Sequence, residues 1–399
     1  MIHYGKHRIF EADIRSVVDV LRSDFLTQGP VVGKFEEALA QAVGARHAVA
    51  ANSATSALHL ACLALGVGPD DIVWTSPNSF VASANCASYC GASVDFVDID
   101  PHTLCMDHRQ LEGKLAQCRI SGKKLPKVVI PVHFAGHTCN MPEIKRLGEE
   151  FGFRILEDAS HAIGTRVMNP GTGNTLPVGA CSHSDICVFS LHPVKIITSG
   201  EGGVAVTNDP DLAEKLALLR THGVVRDLES LERSDEPWRY EMHALGFNYR
   251  MTDIQAALGL SQLQRLSAFV ERRQLLAARY RDKLSRVLPR EEKPRVISQA
   301  CPPDCLSSYH LMVVHVPNSS SRMRCYLALK AAGFLPGVHY LPIHLHPYYR
   351  ERGFGEGNFP IAESHYEKTL SLPLYPALEE EVVDAVCAVL LENASAPQL

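Results

Sequence analysis

Three polar segments contain residue types that bind anions or react with carbonyl groups, and each follows an apolar run. In the first, residues 52–57 read Asn-Ser-Ala-Thr-Ser-Ala and precede a helical pattern. Ser and Thr at a helix start commonly cap the helix. The same arrangement can bind an anion, because free N–H groups, the positive end of the helix dipole and hydroxyls face one point. The GxGxxG and Walker lysine fingerprints of other phosphate sites do not occur in the sequence.

The second segment carries acids and a histidine at the end of an apolar strand pattern, and includes Asp158 and His161. Ligands of an open α/β sheet bind at the carboxyl ends of its strands. One interpretation is that Asp158 caps the following helix. The other is that it stays ionised and pairs with a cationic group of a ligand, such as a protonated pyridine nitrogen.

The third segment, residues 190–203, places a single lysine, Lys195, among apolar side chains before a glycine-rich turn. A lysine there can extend its amine to solvent. Alternatively, loss of hydration lowers the lysine pKa and makes the amine usable as a nucleophile or base. Together the three segments predict a pyridoxal 5'-phosphate (PLP) site, with a phosphate cradle, an acid for the pyridinium nitrogen and a lysine that forms the Schiff base.

An alternation of strand and helix patterns must position these segments. Between residues 31 and 206, near-continuous apolar strands predict an α/β layer with a mainly parallel sheet. The predicted strands are 47–50, 71–75, 94–97, 127–132, 154–156, 185–189 and 203–207, with a helix over 55–66.

After about residue 250 the pattern changes. It predicts a long helix over 252–288 that ends before Pro289, since proline stops a helix. A strand over 309–316, a helix over 321–332, a strand near 338–340 and a final helix over 379–391 follow. We therefore expect a large PLP-binding domain over residues 1–250 and a smaller α+β domain over 251–399 that includes the long helix.

Composition excludes several classes of protein. The chain has 399 residues, 46% of them hydrophobic, and a net charge of -5, so it lacks the basic footprint expected for nucleic acid or an anionic membrane. Polar residues and Pro77 break the longest uncharged stretch, 73–94, which excludes a spanning helix there. The charged N-terminus has no apolar signal region, and the twelve cysteines form no CxxC. We expect a cytoplasmic protein with free thiols.

The ordered set of motifs resembles the DegT/StrS family of PLP-dependent nucleotide-sugar aminotransferases. The resemblance runs along essentially the whole chain and is found in Leu26–Pro30, Asn52–Leu60, Ser76–Asn85, Glu157–His161, Phe189–Lys195, Gly200–Gly203, Gly246–Met251 and Ser371–Pro376. It implies the fold type I architecture of aspartate aminotransferase, with a mostly parallel seven-stranded sheet in the large domain.

The resemblance also implies roles for individual residues. Lys195 would form the Schiff base and move the proton, and Asp158 would pair with the pyridine nitrogen. The remaining implied cofactor contacts are His161 beside the ring or its 3-oxygen, Phe80 stacked on the ring, and Ala54, Thr55, Ser56 and Ser190 at the phosphate. Asn248 would reach the phosphate from the neighbouring subunit, so that active sites are shared across a homodimer.

Two residues depart from the family pattern. Ala54 stands where glycine is usual, so the backbone must tolerate a Cβ there, and Leu191 stands where an aromatic is usual, beside the lysine. Neither change removes a catalytic group.

Within the family, the chain resembles the 4-aminotransferases of pseudaminic acid biosynthesis, in Tyr4–Arg8, Asn52–Cys62, His192–Lys195 and Val338–Tyr348. The implied donor is L-glutamate, and the implied acceptor is UDP-2-acetamido-2,6-dideoxy-β-L-arabino-hexos-4-ulose, a UDP-linked 4-keto-6-deoxy-sugar. Substrate contacts are expected from Thr27, His192, Trp238, His339 and Tyr340.

Other functions stay open. The acceptor could be another nucleotide-linked keto-sugar: a 4-keto-pentose, a GDP-4-keto-sugar or a 3-keto-sugar. A sugar dehydratase of this fold carries histidine in place of the lysine, so Lys195 argues against it, and a non-catalytic regulator is the third alternative.

Three further clusters invite interpretation. His339, His344 and His346, and separately His133, His137 and Cys139, have ligand types suited to a metal, but we expect no metal. The charged segment 226–241 is predicted to be a solvated loop or a lid over the nucleotide.

Overall fold

A seven-stranded sheet forms the centre of the structure, a computed structural model that describes residues 1–168, 173–227, 231, 236–285 and 296–394. The strands in chain order are β1 (Ile2–His3), β2 (His47–Ala51), β3 (Ile72–Thr75), β4 (Ser93–Phe96), β5 (Val128–Ile130), β6 (Arg154–Asp158), β7 (Arg166–Met168), β8 (Thr175–Pro177), β9 (Ile186–Ser190), β10 (Gly203–Thr207), β11 (Val224–Val225), β12 (Glu241–Met242), β13 (Ile297–Ser298), β14 (Cys305–Leu306), β15 (Met312–His315), β16 (Phe334–Leu335) and β17 (Thr369–Leu372).

The helices surround these strands. In chain order they are α1 (Glu11–Leu21), α2 (Pro30–Val43), α3 (Ala54–Ala64), α4 (Ala82–Tyr89), α5 (His108–Ser121), α6 (Met141–Phe151), α7 (Pro210–Arg220), α8 (Asp253–Leu263), α9 (Leu266–Leu284), α10 (Ser319–Ala331), α11 (Pro347–Arg350), α12 (Pro360–Lys368) and α13 (Glu380–Ala394).

The strand order of the central sheet is β2-β10-β9-β6-β5-β3-β4. Strand β10 runs antiparallel to β2 and β9, whereas β9, β6, β5, β3 and β4 pair in parallel. Because β2 and β9 both run antiparallel to β10, β2 has the same direction as the other five strands. These six strands end at one edge of the sheet, where β10 begins. The predicted mostly parallel seven-stranded sheet is confirmed.

Both faces of the sheet are covered, because successive side chains of a strand point to opposite faces. Val73, Val128 and Leu156 pack on the face covered by α3. Their neighbours Trp74, Val129 and Ile155 pack with α5 and α6 on the other face. This double burial explains why the strands appear as continuous apolar runs in the sequence.

A separate core lies in the C-terminal part of the chain. It unites α9, α10 and α13 with β15 and β17, through residues such as Tyr280, Val314, Leu329, Leu370 and Val386. The strands β13, β15 and β17 form an antiparallel sheet there.

The single helix predicted over 252–288 is instead two helices, α8 and α9. Arg265, between them, has φ -107° and ψ 6°, which is outside the helical region. Its guanidinium donates to Asp13 at 3.1 Å and to the Ser261 carbonyl at 3.0 Å. A tertiary contact with α1 thus fixes the break between the two helices. The apolar pattern of the sequence continues across this break and could not reveal it. Pro289 lies outside the described residues.

The strand predicted near 338–340 is also wrong. Gly337 and Ser371 exchange backbone hydrogen bonds of 2.9 and 2.8 Å, but the pairing does not continue beyond this isolated bridge. Side-chain contacts of His339 and Tyr340 hold the segment instead, as described below.

The predicted division at residue 250 crosses several contacts. Strand β1 pairs with β16, β7 pairs with β14, and α8 packs against α1 and α2. The boundary stays a prediction. Within the described part of the chain, no helix is long and apolar enough to cross a membrane. All twelve cysteines are described and are free, as predicted.

Candidate active site

The three predicted segments meet at the edge where the parallel strands end. Residues 52–56 follow β2, Asp158 ends β6, and Ser190 ends β9 just before Lys195. Strands β9 and β6 are neighbours in the sheet, and only β10 lies between β2 and β9, so these side chains form one site.

The start of α3 forms an anion cradle. Ser53 is its N-cap, and its Oγ accepts a hydrogen bond of 3.1 Å from the Ser56 N–H. The Ser56 hydroxyl donates its proton to Asn52 Oδ1 at 2.6 Å, within the same turn. Thr55 is half-buried beside it. The first N–H groups of a helix have no partner within the helix and are free to bind an anion.

The neighbouring strand approaches this turn closely. A Cβ on Gly203, the first residue of β10, would lie 2.4 Å from both N and Cα of Ala54. Only glycine lets β10 begin this close to the cradle. Ala54 itself is the first residue of α3, so the helical backbone accommodates its Cβ. Leu191, the other departure from the family pattern, is fully buried in the core with Phe189 and Ile197.

The Asp158 carboxylate is buried and oriented by two hydrogen bonds. Ser83 Oγ donates to Oδ2 at 2.6 Å, and the Ser160 N–H donates to Oδ1 at 3.0 Å. Both partners are uncharged, so a buried cation would find its counter-ion here. The bond from Ser160 shows that Asp158 caps the turn that follows it, where the sequence predicts a helix. Its pairing with a cationic group of a ligand stays a prediction.

Lys195 lies in a loop with apolar neighbours. Its N–H bonds to the His192 carbonyl at 2.9 Å, and Ile196 and Ile197 after it are buried. Burial lowers the pKa of Lys195 to about 8, although the negative charge of Asp158 raises it in part. A substantial fraction of the amine is therefore neutral near physiological pH, as a nucleophile requires.

His161 is buried, and its tautomer is set by its neighbours. The Ala135 N–H donates to Nδ1 at 3.2 Å, and Nε2 lies 3.3 Å from the Tyr340 hydroxyl. Burial lowers the pKa of His161 well below its usual value, with smaller contributions from Lys195 and His339. The imidazole is neutral and carries its proton on Nε2.

Two aromatic rings border the site. Phe80, at the start of the α4 region, is 59% exposed, and its ring centroid lies 6.4 Å from that of Tyr340. Tyr340 also packs edge-on against Phe134, with centroids 6.2 Å apart. An exposed aromatic beside a buried acid and lysine leaves a flat surface for a ligand ring.

His339 and Tyr340 come to this edge from the C-terminal part. His339 is buried, bonds to Ser371 Oγ through Nδ1 at 2.8 Å, and packs against the Tyr4 ring at 4.8 Å. Burial lowers its pKa to about 4, with a contribution from Lys195.

Other predicted residues lie at the surface. Thr27, Asn248 and Trp238 are exposed, Trp238 by 76%. His192 is exposed as well, with Nε2 4.0 Å from Glu201 Oε1. The backbone of Asn248 forms a bridge with Thr221. Parts of the predicted lid, 228–230 and 232–235, lie outside the described residues.

Sequence reasoning missed Ser83, Ala135 and His310. Ser83 lies within a segment that matches the family pattern, but nothing in the sequence distinguishes it from the serines around it. Ala135 acts through its backbone N–H, and His310, whose ring lies 4.3 Å from His161, comes from a distant strand region.

Within the described ranges, no three His, Cys, Asp or Glu side chains are arranged to hold a metal ion. Three of the candidate histidines have other partners. His133 bonds to Glu157 at 2.5 Å and His344 to Glu363 at 2.9 Å, while His339 bonds to Ser371.

The sequence model of the DegT/DnrJ/EryC1/StrS aminotransferase family matches residues 7–391. The chain belongs to this family. The predicted family, and with it the aminotransferase class, is confirmed.

Curated relatives of this family match over nearly their full length. The spore coat polysaccharide biosynthesis protein SpsC of Bacillus subtilis (strain 168) is 37% identical over 388 residues, which cover 96% of this chain and 94% of SpsC. The UDP-4-amino-4-deoxy-L-arabinose–oxoglutarate aminotransferase of Shewanella sediminis (strain HAW-EB3) is 33% identical over 394 residues, 96% of each chain.

Solved structures of DegT/DnrJ/EryC1/StrS relatives have the same fold. Helicobacter pylori PseC, an aminotransferase involved in the biosynthesis of pseudoaminic acid, is 29% identical, covers 98% of each chain and gives a TM-score of 0.86. Spr1654 of Streptococcus pneumoniae is also 29% identical, covers 98% of each chain in its PMP form with a TM-score of 0.86, and was solved in a PLP form too. The predicted fold type I architecture is confirmed.

The residues at the sheet edge fit the cofactor of this family, pyridoxal 5'-phosphate. The close approach of Gly203 to Ala54 keeps the α3 N-terminus open to a phosphate. The Asp158 carboxylate is buried with neutral partners and suits a pyridinium cation. Lys195 has an amine of lowered pKa that suits the aldehyde, and Phe80 offers an exposed ring face.

Proposed function

We propose that the chain is a PLP-dependent aminotransferase that moves the amino group of L-glutamate to C4 of a UDP-linked 4-keto-6-deoxy-N-acetylhexosamine. The named acceptor is UDP-2-acetamido-2,6-dideoxy-β-L-arabino-hexos-4-ulose, and the enzyme acts in the cytoplasm as a homodimer. The arrangement of Lys195 and Asp158 at one sheet edge carries the proposal. Its acceptor is supported by the likeness to PseC over 98% of both chains and by the motif in Val338–Tyr348.

When bound, the cofactor supplies an electron sink that stabilises negative charge on the carbon bearing the amino group. Asp158 keeps a proton on the pyridine nitrogen, because its buried carboxylate favours a cationic partner. Its two donors, Ser83 and Ser160, hold the carboxylate in one orientation without neutralising it.

Lys195 provides the base. With its pKa near 8, the neutral amine would take the proton from the α-carbon of the donor, and the resulting ammonium would return it to the former aldehyde carbon of the cofactor, on the other side of the amino nitrogen. Burial disfavours the charged ammonium, so that both protonation states of the amine are accessible near neutral pH. The second half of the reaction uses the same proton transfer in reverse, toward C4 of the sugar.

The first turn of α3 holds the phosphate by its free N–H groups, and the Ser190 hydroxyl lies at the same edge of the sheet. Asn248 is exposed on its own subunit. We place it at the phosphate of the neighbouring subunit, which makes the dimer the functional unit.

A second acceptor has specific support. The Shewanella relative, whose name specifies UDP-4-amino-4-deoxy-L-arabinose, is 33% identical over 96% of each chain, a higher identity than the 29% with PseC. A UDP-linked 4-keto-pentose is therefore the alternative substrate.

The test gives the purified, PLP-loaded enzyme ¹⁵N-labelled L-glutamate with each acceptor in turn, and measures the product by mass spectrometry. We expect the ¹⁵N-amine on the 6-deoxy-hexose, with a kcat/KM at least about tenfold above that for the pentose. Amination of the pentose alone would show that the acceptor is the 4-keto-pentose and not the 6-deoxy-hexose. Amination of neither would contradict the proposed substrate class.

A further inference from the structure

Three histidines of the C-terminal part form a hydrogen-bonded chain that leads to the active site. His315, the last residue of β15, is half-buried, and its Nε2 lies 2.7 Å from Nδ1 of His365. His365, in α12, is 3% exposed, and its Nε2 lies 2.9 Å from the carbonyl oxygen of His339. We call His315 and His365 the histidine pair.

The donor and the acceptor of each hydrogen bond in this pair follow from the carbonyl oxygen at the end of the chain. A carbonyl oxygen only accepts, so His365 must carry its proton on Nε2. Neutral His365 then accepts at Nδ1 from the Nε2–H of His315. Burial lowers the pKa of His365 to about 3 and that of His315 to about 4, so both rings are neutral and this pattern persists at physiological pH.

The histidine pair fixes the segment before Tyr340 from one side, and β17 fixes it from the other. Gly337 exchanges two backbone hydrogen bonds with Ser371, and Ser371 Oγ bonds to His339 Nδ1 at 2.8 Å. The bond from His365 then holds the His339 carbonyl, which belongs to the peptide group that joins His339 to Tyr340.

Tyr340 extends from this anchor to His161. Since the Ala135 N–H occupies Nδ1 of His161, its Nε2–H donates to the Tyr340 oxygen over 3.3 Å. The hydroxyl proton of Tyr340 is then available to another acceptor, and the exposed ring of Phe80 lies beside Tyr340, with centroids 6.4 Å apart. Tyr340 is thus held at its oxygen by His161 and at its backbone by the histidine pair, with its proton available as a donor.

We propose that His365, supported by His315, is a positioning residue that holds the Tyr340 hydroxyl as a donor to the amino-acid substrate. The proposal rests on the proposed function, since it places the substrate at the edge formed by Lys195 and Asp158. His365 lies outside the motifs that carry the family resemblance.

The experiment follows the glutamate half-reaction of the holoenzyme by the visible absorbance of the bound cofactor, and so requires no sugar. It compares wild type, His365→Phe, Tyr340→Phe and the double variant. We expect each single variant to react about tenfold more slowly, as for the loss of one oriented hydrogen bond. The double variant should match Tyr340→Phe within about twofold, because both changes remove the same contact.

His365→Gln is the matched rescue variant, since its side-chain amide can donate to the His339 carbonyl. It should stay within about threefold of wild type. A wild-type rate for His365→Phe would overturn the proposal, as would losses that multiply in the double variant. If His365→Phe does not fold, His315→Phe replaces it, with the same non-additivity expected and His315→Gln as its control.

A second readout is independent of activity. In ¹⁵N-histidine NMR spectra of the cofactor-free protein, His161 and His365 should have the Nε2–H tautomer in wild type. The His161 nitrogen signals should shift in His365→Phe and return in His365→Gln, and unchanged signals in His365→Phe would also contradict the proposal. A wild type that aminates no nucleotide-linked keto-sugar would refute the proposed function. The glutamate half-reaction and the NMR spectra would still decide the role of His365.

Discussion

Ser83 and Asp158, 75 residues apart in sequence, are joined by a hydrogen bond of 2.6 Å between Oγ and Oδ2. Ser79 Oγ lies 2.7 Å from Ser83 Oγ and extends the contact toward the segment that carries Phe80. The start of α4 therefore links the acid at the end of β6 with the aromatic ring across the site.

This contact predicts a graded effect of two substitutions on the rate. Asp158→Asn keeps the size of the side chain but removes the charge that we propose keeps the pyridine nitrogen protonated. The glutamate half-reaction should slow by about a hundredfold or more, with the cofactor still bound. Ser83→Ala should slow it by about tenfold or less, since Ser160 still orients the carboxylate.

Single-turnover kinetics of the loaded enzyme measure both effects, and the absorbance spectrum reports cofactor occupancy. Ser121→Ala, at the exposed end of α5, serves as the serine control and should react like wild type. A modest loss in Asp158→Asn would exclude its role at the pyridine nitrogen.

The pH dependence of cofactor capture tests the lowered pKa of Lys195. With a pKa of about 8, the fraction of free amine rises about tenfold between pH 7 and 9 and then levels off. Stopped-flow absorbance of the cofactor-free protein mixed with pyridoxal phosphate should follow this curve, and Lys195→Ala should give no such reaction. A rate that still rises tenfold per pH unit above pH 9 would show an ordinary, solvated lysine.

The lowered pKa of Lys195 also affects the free energy of unfolding. The folded chain releases the Lys195 proton near pH 8, whereas the unfolded chain retains it until pH 10.5. The unfolded state therefore binds more protons between these values, and the contribution of Lys195 to the free energy of unfolding rises with pH across that window. The difference between wild type and Lys195→Met in urea unfolding at pH 8 and 10 measures it. Wild type should be less stable than Lys195→Met, and the difference in the free energy of unfolding should be smaller at pH 10 than at pH 8.

Gly203→Ala tests the close approach of β10 to the phosphate cradle. The new Cβ would lie 2.4 Å from backbone atoms of Ala54, so α3 must move. We expect the free energy of unfolding to fall by about 3 kcal/mol and the affinity for the cofactor to fall with it. Gly113→Ala, in α5 with no atom near its Cβ position, is the control and should be neutral or stabilising. Equal stabilities for the two variants would contradict the proposed strain.

Mixed dimers test whether Asn248 acts across subunits. Lys195→Ala and Asn248→Asp should each abolish or strongly reduce turnover as homodimers. If the site combines Lys195 of one subunit with Asn248 of the other, subunit exchange restores one intact site per mixed dimer. Activity should then return to about one quarter of the wild-type value after random exchange, because half of the dimers are mixed. No recovery, despite exchange confirmed by mass spectrometry, would place Asn248 at its own site or at none.

Much of the site was predictable because its groups follow strand ends. The carboxyl ends of parallel strands share one edge, so Asp158, Ser190 and the 52–56 turn could be brought together from the sequence alone. Ser83, Ala135 and the histidine pair could not, because their roles depend on tertiary contacts and on the backbone rather than on a local pattern. The break at Arg265 was hidden for the same reason, since buried Asp13 fixes it from α1.

We propose that Lys195 serves an amino transfer from glutamate to a sugar ketone. The most direct measurement is an absorbance titration of the PLP-loaded protein, first with L-glutamate and then with the UDP-linked 4-keto-6-deoxy-N-acetylhexosamine. We predict that the visible band disappears with glutamate and returns only with the sugar, and that Lys195→Ala gives neither change. A band that glutamate leaves unaltered would contradict the account.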